Sequence, residues 1–446
     1  MRAFTSVLAV TGLTAAVLCV GPDRVLATQS FQQAVKVTAP SNAGSNPDAS
    51  LNSLACTSVG NCVGVGSYTD SSGNTQAMAA TETNGAWGQA VEVTAPADAA
   101  SNPSATLKGI SCTSAGNCEA VGSYDHTSDE AQAMAVAETN GTWAQAVKVS
   151  LPAGGEAGNF AGLYGVSCTS SGDCEAVGSY NNISAPPTTL AMAATETSGT
   201  WGQAVAVTAP AGAYGSPPQS ALDGLSCISA GDCQAVGTYP TSSNNDLAME
   251  ATETDGTWSQ AVEVSSPADA DTPPYVVLSH LSCTSAGNCQ AVGWYTDSSG
   301  DTQAMEATET GGTWSQATKV TAPADAATNP SAILRGISCT SAGNCGAVGS
   351  YTDSSGDTQA MAASENATPT ITSFTPTSGP IGTKVTIRGT NLSDATKVTF
   401  NGSVATTSSD TATKIVVHVP TGATTGKIKV KTPGGTAKSA TKFTVT

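Results

Sequence analysis

Twelve of the 13 cysteines in this 446-residue chain fall into six pairs of one spacing: Cys56/Cys62, Cys112/Cys118, Cys168/Cys174, Cys227/Cys233, Cys283/Cys289 and Cys339/Cys345. Two chemistries compete for such pairs, disulfide formation and metal ligation. Structural zinc sites favour spacings of two to four, whereas six even pairs in an exported chain read as disulfides in an oxidising compartment. A second pattern is "DSSGD" at Asp297–Asp301 and Asp353–Asp357, with "DSSGN" at Asp70–Asn74. Oxygen ligands clustered beside Gly can hold calcium, so Asp297, Asp301, Asp353 and Asp357 are the candidate metal residues. No established calcium-loop spacing is present, and a polar hairpin turn explains the pattern equally well. Calcium is the one cofactor left open.

Residues for catalysis are few. His126, His280 and His418 stand in three different contexts, and none adjoins an activated Ser or Cys. A sialidase-type site needs an arginine cluster, yet residues 28–366 hold a single arginine, Arg335. A glycosidase needs only two carboxylates at suitable separation, and with 31 Asp/Glu in the same span that class stays open. The aromatics offer binding chemistry instead. Phe160, Tyr164, Tyr214, Tyr275 and Trp294 fall outside the repeated aromatic positions and in or beside long acidic loops. Aromatic faces next to carboxylates suit stacking with a sugar or peptide. Their bland reading is loop anchoring.

The elements that position these residues are repeats. The first cysteines of successive pairs lie 56, 56, 59, 56 and 56 residues apart, and each unit runs "GISC", "CxAVGSY", "QAMAATET", "GTWxQAVxV". Each piece reads as a short strand, and "WGQAVEV" is expected to put Trp87, Gln89, Val91 and Val93 on one face. Asn84-Gly85, Asn140-Gly141, Ser198-Gly199, Asp255-Gly256 and Gly311-Gly312 are pairs that a tight hairpin demands. Four antiparallel strands per unit, six times over, predict an all-β fold whose main part is a six-bladed β-propeller. The last unit stops after its third strand, and "FQQAVKVTAP" (Phe31–Pro40) supplies the missing piece at the other end. The N-terminal strand is therefore expected to complete the last blade and close the ring. In this geometry the stapled turns share one face; the long, uneven, acidic loops share the other, where a ligand is expected.

After Asn366 cysteine stops and lysine becomes frequent. "PTITSFTPTSGPIGTKVTIRGTNLSDATKVTFNG" and "VPTGATTGKIKVKTPGGTAKSATKFTV" resemble the IPT/TIG immunoglobulin-like domain from about Pro369 to Val445. The matching points include Pro376, Ser378-Gly379-Pro380, Gly389-Thr390-Asn391, Phe400-Asn401-Gly402, Val419-Pro420 and Phe443. The resemblance implies an Ig-like β-sandwich and no activity of its own. The repeats are similar in general form to secreted bacterial propeller proteins. Residues 28–366 hold 5 Lys/Arg against 31 Asp/Glu, whereas residues 367–446 hold 9 against 2. The acidic part disfavours nucleic acid and anionic lipid; the basic part could meet an anionic envelope polymer.

Met1 to Ala27 reads as an export signal, cleaved near Ala27, with an apolar run too short for a membrane span. A lipoprotein reading would anchor Cys19, but "AVLC" places bulky Leu18 where a small residue is wanted. The expected layout is a signal peptide (1–27), a propeller with one disulfide per blade (28–366) and the Ig-like domain (367–446). The expected protein is a secreted or surface-associated, monomeric, non-catalytic binding or adhesion protein. Its expected partner is an extracellular polysaccharide, a cell-envelope polymer or a protein. A secreted glycoside hydrolase with an accessory domain is the alternative, and a structural surface protein without a specific small ligand is the next.

Overall fold

The computed structural model describes residues 35–446 except 59, 127–129, 156–159, 183–186, 244, 367, 394 and 433. The export signal, Cys19 and Phe31–Ala34 of the closing strand lie outside the described residues. The described chain is all β, without a helix. Six antiparallel sheets follow one another in chain order. Blade 2 is typical: Thr106–Ser114 innermost, then Asn117–Asp125 and Ala131–Thr139, with Thr142–Trp143 and Val147–Lys148 both pairing with the third strand. The six innermost strands lie side by side, each against the next.

The turns follow the sequence. Asn84 and Gly85 take φ of 50° and 82°, and the four corresponding pairs match them, the doubly positive geometry that twists a two-residue hairpin correctly. All six cysteine pairs are bonded, with Cα–Cα distances of 3.9 to 4.0 Å. The strands continue past the cysteines, so the turn between them is tighter than the five intervening residues suggest: in blade 2 Ser114 pairs with Asn117 around Ala115-Gly116. The two hairpin tips on this face are clipped together, Gly141 N–H donating to Gly116 O at 2.9 Å.

Each innermost strand carries a bulge, at Asn52, Lys108, Tyr164, Asp223, Ser279 and Arg335. The bulge explains the glycine in "AVGSY". A Cβ on Gly122 would collide with the carbonyl oxygen of Thr106, and Gly66, Gly178, Gly237, Gly293 and Gly349 face the same obstacle.

The fourth strand departs from expectation. It is split, Ala86–Trp87 and Val91–Val93 in blade 1, because Ala90 N–H leaves the ladder to donate to Thr38 O at 2.8 Å. The face assignment changes accordingly: Ala90 and Val93 are buried, while Gln89 and Val91 are exposed. Ala146, Ala204, Ala261 and Ala317 repeat this bond to Thr94, Ser150, Thr208 and Ser265 of the preceding blade. Val35–Pro40 thus sits against blade 1 as the end of each blade sits against its successor, although it forms no strand itself. Between blades 6 and 1 the described residues make no contact comparable to the other five seams. Leu54 is accordingly 54% exposed where its blade-2 counterpart Ile110 is 8% exposed.

Thr370–Val445 forms a two-sheet sandwich, with strands Thr370–Thr375, Lys384–Thr390, Lys414–His418 and Thr407–Thr411 opposite a sheet built on Lys397–Phe400, Gly426–Thr432 and Gly435–Val445. Its core holds Val385, Ile387, Val398, Ile415, Ile428 and Val430, with the Phe400 and Phe443 rings edge-to-face at 5.1 Å.

Candidate functional site

On the face carrying the long loops, the structure divides the five candidate aromatics. Phe160 and Tyr275 stand immediately before the innermost strands of blades 3 and 5, their carbonyls accepting from Asn181 N–H and Thr296 N–H at 2.8 and 3.0 Å. Pro103 holds the same place in blade 2. Tyr214 lies in the loop entering blade 4, its N–H donating to Pro240 O at 2.7 Å. These three rings are 44%, 41% and 51% exposed, so three consecutive blades each present one large apolar ring to solvent. Burial of its hydroxyl, and then the Asp246 carboxylate, push the Tyr275 hydroxyl above its ordinary value. Tyr164 and Trp294 do not join this set. Tyr164 is the half-buried bulge residue of blade 3, its hydroxyl 3.1 Å from Ser179 Oγ. Trp294 is half-buried under Arg335, whose guanidinium carbon lies 5.6 Å from the ring centroid, a cation–π contact across the seam of blades 5 and 6.

The acidity of these loops is partly structural. Asp98, Asp269 and Asp325 accept the hydroxyls of the repeated Tyr124, Tyr295 and Tyr351 at 2.8, 2.7 and 2.8 Å. Those tyrosines are buried at the ring, and a buried hydroxyl needs a partner. The "DSSGD" carboxylates are similarly occupied. Asp297 accepts from the N–H groups of Ser299 and Asp301 at 3.0 and 3.1 Å and from Gln303 Nε2 at 2.8 Å. Asp353 does the same with Ser355, Asp357 and Gln359. These bonds hold both aspartates below the usual carboxylate range. Asp301 and Asp357 complete the turns through their backbone. The arrangement is a self-capped hairpin turn, and among the described residues no three His, Cys, Asp or Glu are grouped to hold a metal ion. The three histidines stand on blade 2, on blade 5 and on the sandwich.

Sequence reasoning passed over the opposite, stapled face. There the Glu of "TET" lies across the ladder from the second cysteine, as Glu138 from Cys118 and Glu196 from Cys174. The residue after that cysteine reaches the next blade: Glu119 Oε1 accepts from Trp201 Nε1 at 3.2 Å, and Glu175 Oε1 from Trp258 Nε1 at 3.3 Å. In blade 4 a glutamine takes this place, and Gln234 Nε2 donates to Glu309 Oε1 at 2.7 Å. Burial, with the charge of Glu196 added, pushes Glu119 up to about 8. Burial and Glu253 push Glu175 up to about 7. The seams open into grooves, about 350 Å³ between blades 2 and 3 and about 460 Å³ between blades 4 and 5. The signal was a Glu repeated within an otherwise apolar strand.

The cysteines do not all stand alike toward these grooves. Cys118 and Cys174 line the first, and Cys233 and Cys289 the second. Cys62 and Cys345, disulfide-bonded as their spacing predicts, line smaller seam pockets of about 170 and 190 Å³ between blades 1 and 2 and between blades 5 and 6. Each is buried, as Cys118, Cys174, Cys233 and Cys289 are. Cys62 lies on the middle strand of blade 1 between Cys56 and Glu82, and Cys345 on that of blade 6 between Cys339 and Glu365. As in the other blades, each is flanked by a strand on either side and its sulfur is spent in a disulfide.

On the sandwich, alternation sends every second residue of Gly426–Thr432 outward. Lys427 lies opposite Lys442, Lys429 opposite Lys438, and Lys431 opposite Lys397. Three rungs of paired lysines share one face, and no carboxylate bridges to them among the described ion pairs.

Comparison with curated proteins finds no match. Among solved structures the chain is similar to an auxiliary nutrient binding protein from Bacteroides thetaiotaomicron, 25% identical over 18% of this chain and 21% of that one, with a TM-score of 0.17. It is also similar to a protein of unknown function from Dyadobacter fermentans, 12% identical over 74% of this chain and 96% of that one, with a TM-score of 0.45. A third likeness is to the fucose-specific lectin from Aleuria aurantia, 12% identical over 69% of this chain and 89% of that one, with a TM-score of 0.37. Residues 369–445 match the IPT/TIG domain, and the sandwich that they form is of that family.

Proposed function

We propose that this is an extracellular, non-catalytic adhesion protein whose IPT/TIG domain contacts an anionic cell-envelope polymer while the propeller presents a ligand face. The observation that carries the reading is the lysine face. Like charges directly opposite on neighbouring strands destabilise a sheet, so three such rungs are an electrostatic cost that a bound polyanion would relieve. Six disulfides fit an oxidising, extracellular setting, and among the described residues no helix is long and apolar enough to cross a membrane. The exposed rings of Phe160, Tyr214 and Tyr275 support a second contact, a stacking surface for a polysaccharide or peptide chain.

Co-sedimentation of residues 28–446 with isolated envelopes tests the reading. Binding is expected to weaken steeply with added salt and to be lost in K427E/K429E/K431E, while F160A/Y214A/Y275A keeps envelope binding and loses retention on insoluble polysaccharide. Salt-independent retention of the lysine variant would remove the envelope role from this domain.

A further inference from the structure

The grooves of the stapled face are lined by glutamates that each leave one carboxylate oxygen without a partner. Glu138 and Glu196 line the groove between blades 2 and 3, each 4% exposed, and one oxygen of each carboxylate has no hydrogen-bond donor. Glu253 and Glu309, 3% and 4% exposed, repeat this between blades 4 and 5. A buried acceptor left unpaired costs about 1–3 kcal/mol, and more when charged. Two grooves, two orphaned oxygens in each, at corresponding places in the repeat: this is a recurring vacancy for a donor.

Charge narrows the donor. Around the first groove stand Glu119 on the second strand of blade 2, Glu138 on its third strand, Glu196 on the third strand of blade 3, and Asp173, whose charge acts on Glu196. Among the described residues neither groove is lined by Lys, Arg or His. A cation is the complement. The volumes of about 350 and 460 Å³ far exceed a metal ion, and no three carboxylates converge on a point. Hydroxyls contribute to the remaining lining, Ser111, Thr113, Ser170 and Ser198 in the first groove and Ser226 and Thr252 in the second, beside cystine sulfurs and, in the second, Ile228. Hydroxyls both donate and accept, which suits a ligand carrying several of its own.

We propose that the seam grooves are subsites for an amino sugar, its ammonium group donating to the seam glutamates and its ring hydroxyls meeting the Ser and Thr side chains. Repetition around the disc makes the site multivalent, so a polymer of such sugars would engage several grooves at once. The raised proton affinity of Glu119, caused by burial and then by the charge of Glu196, accords with a place that has no cation to balance it. This site lies on the opposite face from the exposed aromatics and does not depend on the lysine face.

The test is calorimetric titration of residues 28–446 with the trimer of β-1,4-linked glucosamine and, in parallel, with its fully N-acetylated form. The free-amine trimer is expected to bind at more than one equivalent per chain. Each of E138Q/E196Q and E253Q/E309Q is expected to remove its share of the sites, with roughly tenfold or greater loss of affinity there. Equal binding of the acetylated trimer to the wild-type chain would overturn the ammonium assignment without recourse to any variant. A lysine tripeptide that competes as well as the sugar would overturn the sugar assignment. Unchanged binding in F160A/Y214A/Y275A and in K427E/K429E/K431E is expected; loss in either would place the sugar elsewhere and overturn the seam site.

Discussion

At the scale of single residues, the seam carboxylates and the bulge glycines do most to shape behaviour. Glu119 titrates at about 8 in the folded chain against an ordinary 4.5, and Glu175 and Glu250 at about 7. A carboxyl whose folded value is raised holds its proton longer folded than unfolded, so its contribution is fully present below about 4.5 and is lost as pH climbs through about 8. The turn aspartates Asp297 and Asp353 act in the opposite sense, their contribution vanishing as pH falls below the ordinary carboxylate range. Thermal unfolding followed by calorimetry is therefore expected to show maximal Tm near pH 5 and a decline toward pH 8. Glu119→Gln keeps an acceptor for Trp201 and removes the charge; it should leave the Tm at pH 5 nearly unchanged and raise it at pH 8. A decline equally steep in that variant would remove Glu119 from the account. Gly122 answers to sterics instead. Gly122→Ala drives a methyl group into the Thr106 carbonyl, and overpacking of this kind costs about 1–3 kcal/mol. The urea midpoint should fall accordingly, whereas an unchanged midpoint would mean that the bulge relaxes freely.

At the scale of the blade, the disulfide and the clipped tips hold a hairpin whose packing is built largely from Ala, Val, Leu and Met around one buried tyrosine ring. Blade 3 buries Ala176, Ala191, Ala193, Ala194 and Met192. Closing so small a loop contributes roughly 2 kcal/mol, by restricting the unfolded chain. Cys112→Ser/Cys118→Ser is expected to lower the unfolding free energy read from urea titration by that amount and to make the Ala115-Gly116 tip the first site of limited proteolysis. If the tip stays resistant, the Gly141–Gly116 hydrogen bond holds the hairpin without the staple. Tyr124, Tyr295 and Tyr351 work at this scale too, since each pins an acidic loop through its hydroxyl and so joins part of the uneven face to the blade beneath.

At the scale of the whole molecule, the seam between blades 6 and 1 decides whether the disc is closed. Five seams are made by adjoining repeats, whereas the sixth has to be made by the two ends of the repeat array. Val37, Thr38 and Ala39 dock on blade 1 as the ends of other blades dock on theirs, while Leu51, Leu54 and Val348 remain exposed at the two faces that would meet. Removing residues 28–40 should leave those faces without their clasp. Sedimentation of residues 41–446 is expected to show association or precipitation, because an uncovered apolar sheet face is an invitation to pair with another chain. A truncated chain that stays monomeric and equally stable would mean that the N-terminal strand does not close the ring.

Much of this was legible beforehand because it is local. The six-fold period, the doubly positive turns, the cysteine pairs and the IPT/TIG strands all depend on residues near one another in the chain, and a repeat displays each dependence several times over. The split of "WGQAVEV" was not legible: Ala90 leaves its ladder for a carbonyl of the N-terminal segment, a partner 52 residues away in the chain. The aromatics could be singled out by subtracting the repeat, but only packing across seams decided that Tyr164 and Trp294 turn inward while Phe160, Tyr214 and Tyr275 remain in solvent. The cysteines show the same limit: their pairing is written in the spacing, yet which of them border a groove, and that Cys62 and Cys345 do not border the large ones, depends on the neighbouring blade. The lysine face likewise needed strand register, since Lys429 and Lys438 become neighbours only when two strands pair. The seam grooves are the clearest case. A Glu in "TET" reads as a solvated strand residue until a second blade closes over it, and what it then lacks, a donor, is a property of two sheets together and of neither sequence segment alone.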